Sequence, residues 1–178
     1  MFESEFKKLA EKEKCEYKVK NFVVDGSIGA KLPISIYTIN LLYNDIDLEI
    51  RFELGNSNVA ESKFQIIASK NLPNFKLVTR NHFSRLFFKR EQIWKIVCND
   101  SEFKKAVLSI LNASGLNEIA QKEAFEPIIE GFYNNDIYNF SIKYYLGFNE
   151  KEKSLVPIVK FQKKMIDYLI EIRTVDKR

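Results

Sequence analysis

Histidine, cysteine, proline and glycine are scarce in this 178-residue chain, which holds one, two, four and six of them. Each shortage closes off some chemistry. A lone His82 excludes paired-histidine metal sites and leaves any Ser-His-Asp or Cys-His arrangement resting on one ring. Arg80 and Arg85 flank that ring, with no carboxylate beside it to orient it as a base, so an exposed or half-packed histidine is the better reading. Cys15 and Cys98 lie far apart without neighbouring ligand residues, which favours two reduced, buried thiols in a reducing compartment over a disulfide. Six glycines form no Gly-x-Gly-x-x-Gly or Gly-Lys-Ser/Thr phosphate cradle, and Gly-x-Ser-x-Gly and Cys-x-x-Cys are missing too. No apolar run approaches the roughly 18 to 20 residues that a membrane helix needs. The first residues mix acids and bases without a continuous apolar region, unlike a secretory signal. A cytoplasmic protein, or a piece of a larger one, is the expectation, with peripheral membrane association as the alternative. No cofactor and no small-molecule substrate is implied.

What is present reads as one domain. The length suffices to bury roughly 70% of the unfolded surface, and the apolar share of 46% and charged share of 29% are those of a globular chain. A net charge of +4 permits an anionic partner without predicting one. Phe2, Phe6 and Leu9 at helical spacing predict an amphipathic helix over 2–14. Residues 34–43 are rich in β-branched and aromatic side chains and predict a strand. After Asn44-Asp45, Ile46, Leu48, Ile50, Phe52 and Leu54 alternate with polar residues, completing a hairpin. Further strands are expected at 63–69, 75–79 and 92–97, with one or two helical turns over 81–88. Asn99 is placed to cap a helix bearing Glu102 at the capping-box position and Phe103, Val107, Ile110 and Leu111 as its stripe, ended by Gly115. A short helix follows over 116–124. A second hairpin then turns at Asn134-Asn135-Asp136, and Pro157 opens a long helix with Ile158, Phe161, Met165, Leu169 and Ile172 inward. Strands in runs and hairpins predict an α+β fold, an antiparallel sheet with helices packed on one face.

Two constellations could carry function. Asp45, Asp47, Glu49 and Glu53 fall on one strand face, where clustered carboxylates could hold Mg²⁺. Polar faces of half-exposed hairpins look the same, and Arg51 neutralises part of the charge. A restriction-type nuclease would also need Glu-x-Lys after the acidic strand, whereas Glu16-Tyr17-Lys18 precedes it. The other constellation runs from Lys70 to Lys95, where Lys70, Lys76, Arg80, Arg85, Lys89, Arg90 and Lys95 interleave with Phe75, Phe83, Phe87, Phe88 and Trp94 around a single acid, Glu91. Cations for phosphates beside flat rings for stacking or insertion make Arg80, Arg85, Lys89, Arg90 and Lys95 the candidate anion or partner surface. The competing reading turns Phe75, Phe83, Phe87 and Trp94 into core residues and leaves their basic neighbours merely solvated. Lys160, Lys163 and Lys164 repeat the theme on the outer face of the last helix, where a solvated surface explains them.

A Val-x-Gly strand opening (Val24-Asp25-Gly26), a hydrophobic hairpin, a Phe-x-Leu strand with a Phe-x-x-Leu helix (Phe75-Lys76-Leu77, Phe83-Ser84-Arg85-Leu86) and a helix opened by Asp100-Ser101-Glu102-Phe103 follow one another. This order resembles an uncharacterised family of bacterial proteins, a domain of unknown function often found after one or two membrane helices. The resemblance covers about residues 20–172 and assigns no catalytic residue. The present sequence departs from it in having no membrane helix. The expectation is therefore a single-domain, non-enzymatic interaction module with an unknown protein partner. Its rivals are a peripheral binder of anionic membrane or nucleic acid through Arg80–Lys95, a bacterial immunity-type protein, and a metal-dependent hydrolase using Asp45, Asp47 and Glu49.

Overall fold

The two-residue period that begins at Ile46 does what a pleated strand requires: Leu48, Ile50 and Phe52 are buried, while Asp47, Glu49, Arg51 and Glu53 point the other way. A computed structural model gives the fold and describes residues 2–26, 29–67, 72–80 and 93–175. Its strands are β1 (Glu16–Asp25), β2 (Lys31–Tyr43), β3 (Ile46–Leu54), β4 (Val59–Ile67), β5 (Phe75–Thr79), β6 (Trp94–Cys98), β7 (Ile128–Asn134) and β8 (Ile137–Tyr145). They form one antiparallel sheet in the order β1-β2-β3-β4-β8-β7-β5-β6. The helices are α1 (Phe2–Glu13), α2 (Ser101–Ser114), α3 (Leu116–Lys122) and α4 (Leu155–Val175), the last preceded by a 3-10 turn at Lys151–Ser154. They pack on one face, as an α+β fold with an antiparallel sheet implies.

The core lies between that face and the helices. Phe64 and Phe140 stack with ring centroids 4.5 Å apart at the β4–β8 pairing, and Phe161 of α4 closes over Phe140. Phe6 of α1 meets Phe52 edge-on and Tyr37 at a tilt, and Lys163 of α4 pairs with Glu13 to tie the two helices together. Gly131 of β7 lies opposite Phe140, and a Cβ there would lie 2.3 Å from the Tyr138 hydroxyl oxygen and 2.5 Å from the Phe75 ring. The absent side chain makes room for both rings. Between sheet and α4 sits one fully buried polar contact, Ser62 Oγ to Gln162 Oε1 at 2.6 Å.

Both long hairpins turn on an Asn-Asp pair with positive φ at each residue, Asn44-Asp45 and Asn135-Asp136. These side chains tolerate the left-handed region that a two-residue hairpin demands. Several sequence expectations shift. The cap of α2 is Asp100, not Asn99: its Oδ1 accepts the Phe103 amide at 2.9 Å, three residues ahead, which makes Ser101 the first helical residue. β4 starts at Val59, four residues early, because the polar faces of Glu61 and Lys63 belong to the strand. β1 runs over Glu16–Asp25, so Val24-Asp25-Gly26, which the family resemblance makes a strand opening, instead stands at the end of a strand. Cys98 is buried, but Cys15 is only half-buried, and both are free. Lys163 is drawn in by Glu13 and lies over the Tyr43 ring at 4.9 Å to its centroid, rather than standing in solvent. The turns expected over 81–88 lie outside the described residues.

Candidate interaction surfaces

The basic, aromatic segment divides across the sheet. Phe75 is in the core against Phe103 and Phe140, and Trp94 is half-buried with its indole N–H donated to Asn117 Oδ1 at 2.9 Å. These two rings take the inward role, while Lys76 and Lys95 fall on the uncovered face by strand alternation. Lys76 lies 2.6 Å from Glu130 on β7. Arg80 follows β5, its amide bonded to the Ile93 carbonyl at 2.7 Å. Of the candidate surface, Arg80 and Lys95 are thus placed at the β5–β6 end of the sheet, whereas Arg85, Lys89 and Arg90 lie outside the described residues.

The uncovered face is a polar ladder. One cross-strand row runs Lys18, Thr38, Arg51, Glu61, Lys143, Ile128, Val78, Lys95. The next includes Glu49 beside Lys63, joined at 3.0 Å. Opposite charges side by side stabilise a sheet modestly and largely cancel its field. The acidic strand is part of this ladder: Asp47, Glu49 and Glu53 share the face as expected, but Asp45 belongs to the hairpin turn, Glu49 is paired, and Glu53 is held by Arg51 at 2.7 Å and the Ser57 hydroxyl at 2.6 Å. The Ser57 hydrogen bond, with help from Arg51, holds the Glu53 carboxyl below the usual carboxylate range. Among the described residues no group of three His, Cys, Asp or Glu side chains is arranged to hold a metal ion.

An open groove of about 960 Å³ lies at the β2–β3 turn. The β3–β4 ladder stops at Leu48 opposite Phe64 although β4 runs on to Ile67, so the two strands part there. Asp45, Asp47 and Glu49 line one wall and Ile170 and Arg173 of α4 another, with the Arg173 guanidinium donating to the Ile67 carbonyl at 2.9 Å. Asp167, at the same end, accepts from the Tyr43 hydroxyl and the Asn44 amide. Burial first and the Asp167 contact second push the Tyr43 phenol above its ordinary pKa.

A third surface went unread in the sequence. β2 pairs with β3 only from Ser35 onward, so Lys31–Ile34 and the facing residues Phe22–Asp25 form a two-stranded arm that projects beyond the rest of the sheet. Its tip is closed by the Gly26 amide on the Ala30 carbonyl at 2.7 Å. Phe22 is 43% exposed, Val23 59% and Leu32 38%. Gly55, where β3 ends, has φ 113° and lies so close that a Cβ would sit 2.1 Å from the Pro33 carbonyl oxygen. Only glycine fits this joint between arm and sheet. The signal was available in principle, since Phe22-Val23-Val24 is an apolar run facing a second one, Leu32-Pro33-Ile34, across the turn.

Among the described residues no helix is long and apolar enough to cross a membrane. No protein-family model, curated protein or solved structure matches this chain.

Proposed function

We propose that this chain is a protein-interaction module that works by contact rather than catalysis, with the β1–β2 arm and the outer edge of β1 as its contact surface. One observation carries the reading: where β2 runs beyond its pairing with β3, Phe22 and Leu32 are exposed on one face of the arm and Val23 on the other, beside the outer edge of β1. Single exposed apolar residues are ordinary, whereas diagonal neighbours on one face, such as Phe22 and Leu32, beside a strand edge are the kind of surface partners dock on. A toxin-neutralising, immunity-type role is one form of this reading, in which the partner complex is tight and stoichiometric.

The test is affinity capture of the tagged chain from lysate of its own host, at low and physiological salt. A salt-stable partner captured by the wild type and lost with Val23→Asp or Leu32→Asp, at unchanged far-UV circular dichroism, is the expected result. Undiminished capture by both variants would end the assignment to the arm.

A second reading has its own support. Lys95 shares the uncovered face with exposed Val97 and Ile128 near the β6 edge, a basic and apolar mixture that suits an anionic membrane surface. That reading predicts steep loss of vesicle binding between low and physiological salt, and Lys95→Glu should remove it. Salt-insensitive recovery would count against it.

A further inference from the structure

β3 and β4 stop pairing before either strand ends. The ladder closes with Leu48 opposite Phe64, yet β3 begins at Ile46 and β4 runs on to Ile67. Carried further, the same register sets Asp47 opposite Gln65 and Ile46 opposite Ile66. Nothing in those residues forbids it. None is proline or glycine, Ile46 and Ile66 share the helix-covered face, and Asp47 and Gln65 share the other without opposing like charges. The backbone is oriented for it as well. The Leu146 amide bonds the Asn58 carbonyl in register with the β4–β8 ladder, so even-numbered residues of β4 turn their N–H and C=O groups toward β8 and odd-numbered ones toward β3. Because Glu49 pairs with Lys63, Asp47 turns its amide toward the Gln65 carbonyl, but that rung is not formed.

The cause lies in α4. Asp167 accepts from the Tyr43 hydroxyl at 3.0 Å and from the Asn44 side-chain amide at 2.8 Å, holding the β2–β3 turn. Further along the helix, Arg173 donates to the Ile67 carbonyl at 2.9 Å, holding the end of β4. Ile170, midway between them, lines the groove that separates the two strands. One helix thus grips both lips of the groove.

We propose that α4 is a strut that holds this end of the sheet open, and that β3 and β4 zip shut through Asp47 and Gln65 when Asp167 and Arg173 let go. The opposing forces are matched. Exposed side-chain hydrogen bonds stand on one side and ladder hydrogen bonds of similar net size on the other, so the groove is poised rather than locked. Its width follows the seat of the end of α4, and whatever competes for Asp167 or Arg173 closes it. The inference is independent of the reading of the arm, which lies at the opposite end of β2 and β3.

Amide exchange in the full chain reads the missing rung directly. In the wild type the Asp47 amide should exchange much faster than that of Arg51, which faces β4 inside the ladder. Asp167→Ala with Arg173→Ala should slow exchange at Asp47 by about fivefold, the net worth of one hydrogen bond, and leave Arg51 unchanged. Arg173→Ala alone should give part of that slowing. Contacts that merely stabilised the strand ends would do the reverse, since their loss quickens exchange nearby. Disulfide trapping gives a second reading in a chain carrying Cys15→Ser. Asp47→Cys with Gln65→Cys should link several-fold faster under mild oxidation once both tethers are removed, because a formed hydrogen-bonded pair brings its Cα atoms to about 5.5 Å. Glu49→Cys with Lys63→Cys, already paired, should link at one rate in both backgrounds. An Asp47 amide as protected as Arg51 in the wild type, exchange there that is unchanged or quickened in the double variant, or a linking rate indifferent to the tethers overturns the proposal.

Discussion

The β7–β8 hairpin and the β1–β2 hairpin are made of similar residues and end differently. In β8, Tyr138, Phe140, Ile142 and Tyr144 all lie under helices and are almost wholly excluded from water. In the arm of β1–β2, Phe22, Val23 and Leu32 remain open where β3 stops short of them, although Ile34 beside them is buried. Local sequence makes both hairpins; only the neighbours decide which one becomes core. Apolar side chains on the first hold the fold together, and those on the second stay in contact with water.

The largest effect that would test this contrast is a pair of truncations. Phe140, 1% exposed and touching Phe64, Phe75 and Phe161, should cost about 3–5 kcal/mol when replaced by alanine, transfer and cavity contributions together. Phe22→Ala in the arm should change stability by no more than about 0.5 kcal/mol. Chemical denaturation of the two variants measures both. A Phe22 cost comparable to that of Phe140 would mean the arm is part of the core.

Next in size is the buried polar contact. Ser62 Oγ lies 3.0 Å from the Glu49 carbonyl as well as 2.6 Å from Gln162 Oε1, and among the described residues the Gln162 amide nitrogen has no partner. Ser62→Ala leaves the buried glutamine without its one hydrogen bond and should cost about 1–3 kcal/mol, while the double replacement Ser62→Ala with Gln162→Leu should recover much of it. Recovery, measured by thermal melting, would place the role of the pair in fixing how α4 sits on the sheet rather than in net stability. A double variant as unstable as the single one would contradict that.

Much of the covered region could be read from the sequence, and little of the uncovered one. Alternation from Ile46 to Leu54 and from Tyr138 to Leu146, with Asn-Asp at each turn, carries hairpin and facing together, and Pro157 and the Ile158–Phe161–Met165 stripe carry α4. Strand order was not legible: β8 inserts beside β4, more than seventy residues downstream, so β5 is displaced from its sequence neighbour. Most of β1, from Glu16 to Val23, was not legible because edge position dilutes its pattern; Tyr17 and Val19 are only half-buried, and nothing in the strand is fully buried. Phe75 and Trp94 face the helices, as the spacing that makes them core residues implies, so of the basic, aromatic segment it is the neighbouring Lys76 and Lys95 that reach the uncovered face. The arm stayed invisible for another reason. Apolar β-branched runs signal core, and their exposure depends on where β3 ends.

Alkali should probe the covered hairpin through its buried tyrosines. Burial pushes the Tyr144 phenol far above its ordinary pKa, its contact with Ser154 at 2.9 Å offsetting this only in part. Burial does the same to Tyr138, whose hydroxyl donates to the Pro73 carbonyl at 2.8 Å. A folded-state pKa raised above the unfolded value of about 10 contributes stability that is present below that pH and is lost as pH rises through it. Stability should therefore be flat through neutrality and fall above about pH 10. Tyr144→Phe should cost about 0.5–1.5 kcal/mol at neutral pH, the net value of one hydrogen bond, and should make the alkaline fall shallower. An unchanged alkaline slope in that variant would show that Tyr144 is not among the groups that resist ionisation.

The smallest effect lies at the joint where the arm leaves the sheet. Glu53 sits opposite Ile36 near the end of β3, accepts from Ser57 and Arg51, and so fixes the loop that runs past Gly55 along the arm. Because its folded-state pKa is depressed, it contributes stability above the ordinary carboxylate range, and that contribution is lost as pH falls through the folded value. Glu53→Gln should therefore be slightly less stable than the wild type at neutral pH, with the gap closing as the solution is acidified. Ser57→Ala should reproduce part of the same pH-dependent gap, since the hydroxyl is the largest cause of the shift. Amide exchange at Val24 and Leu32, where the arm's own ladder is reported, should quicken in both variants, whereas exchange at Phe140 and Ile142 should not. Equal quickening at both places would mean that arm and core open as one unit, and the contrast between the two hairpins would then concern only which side chains are wet.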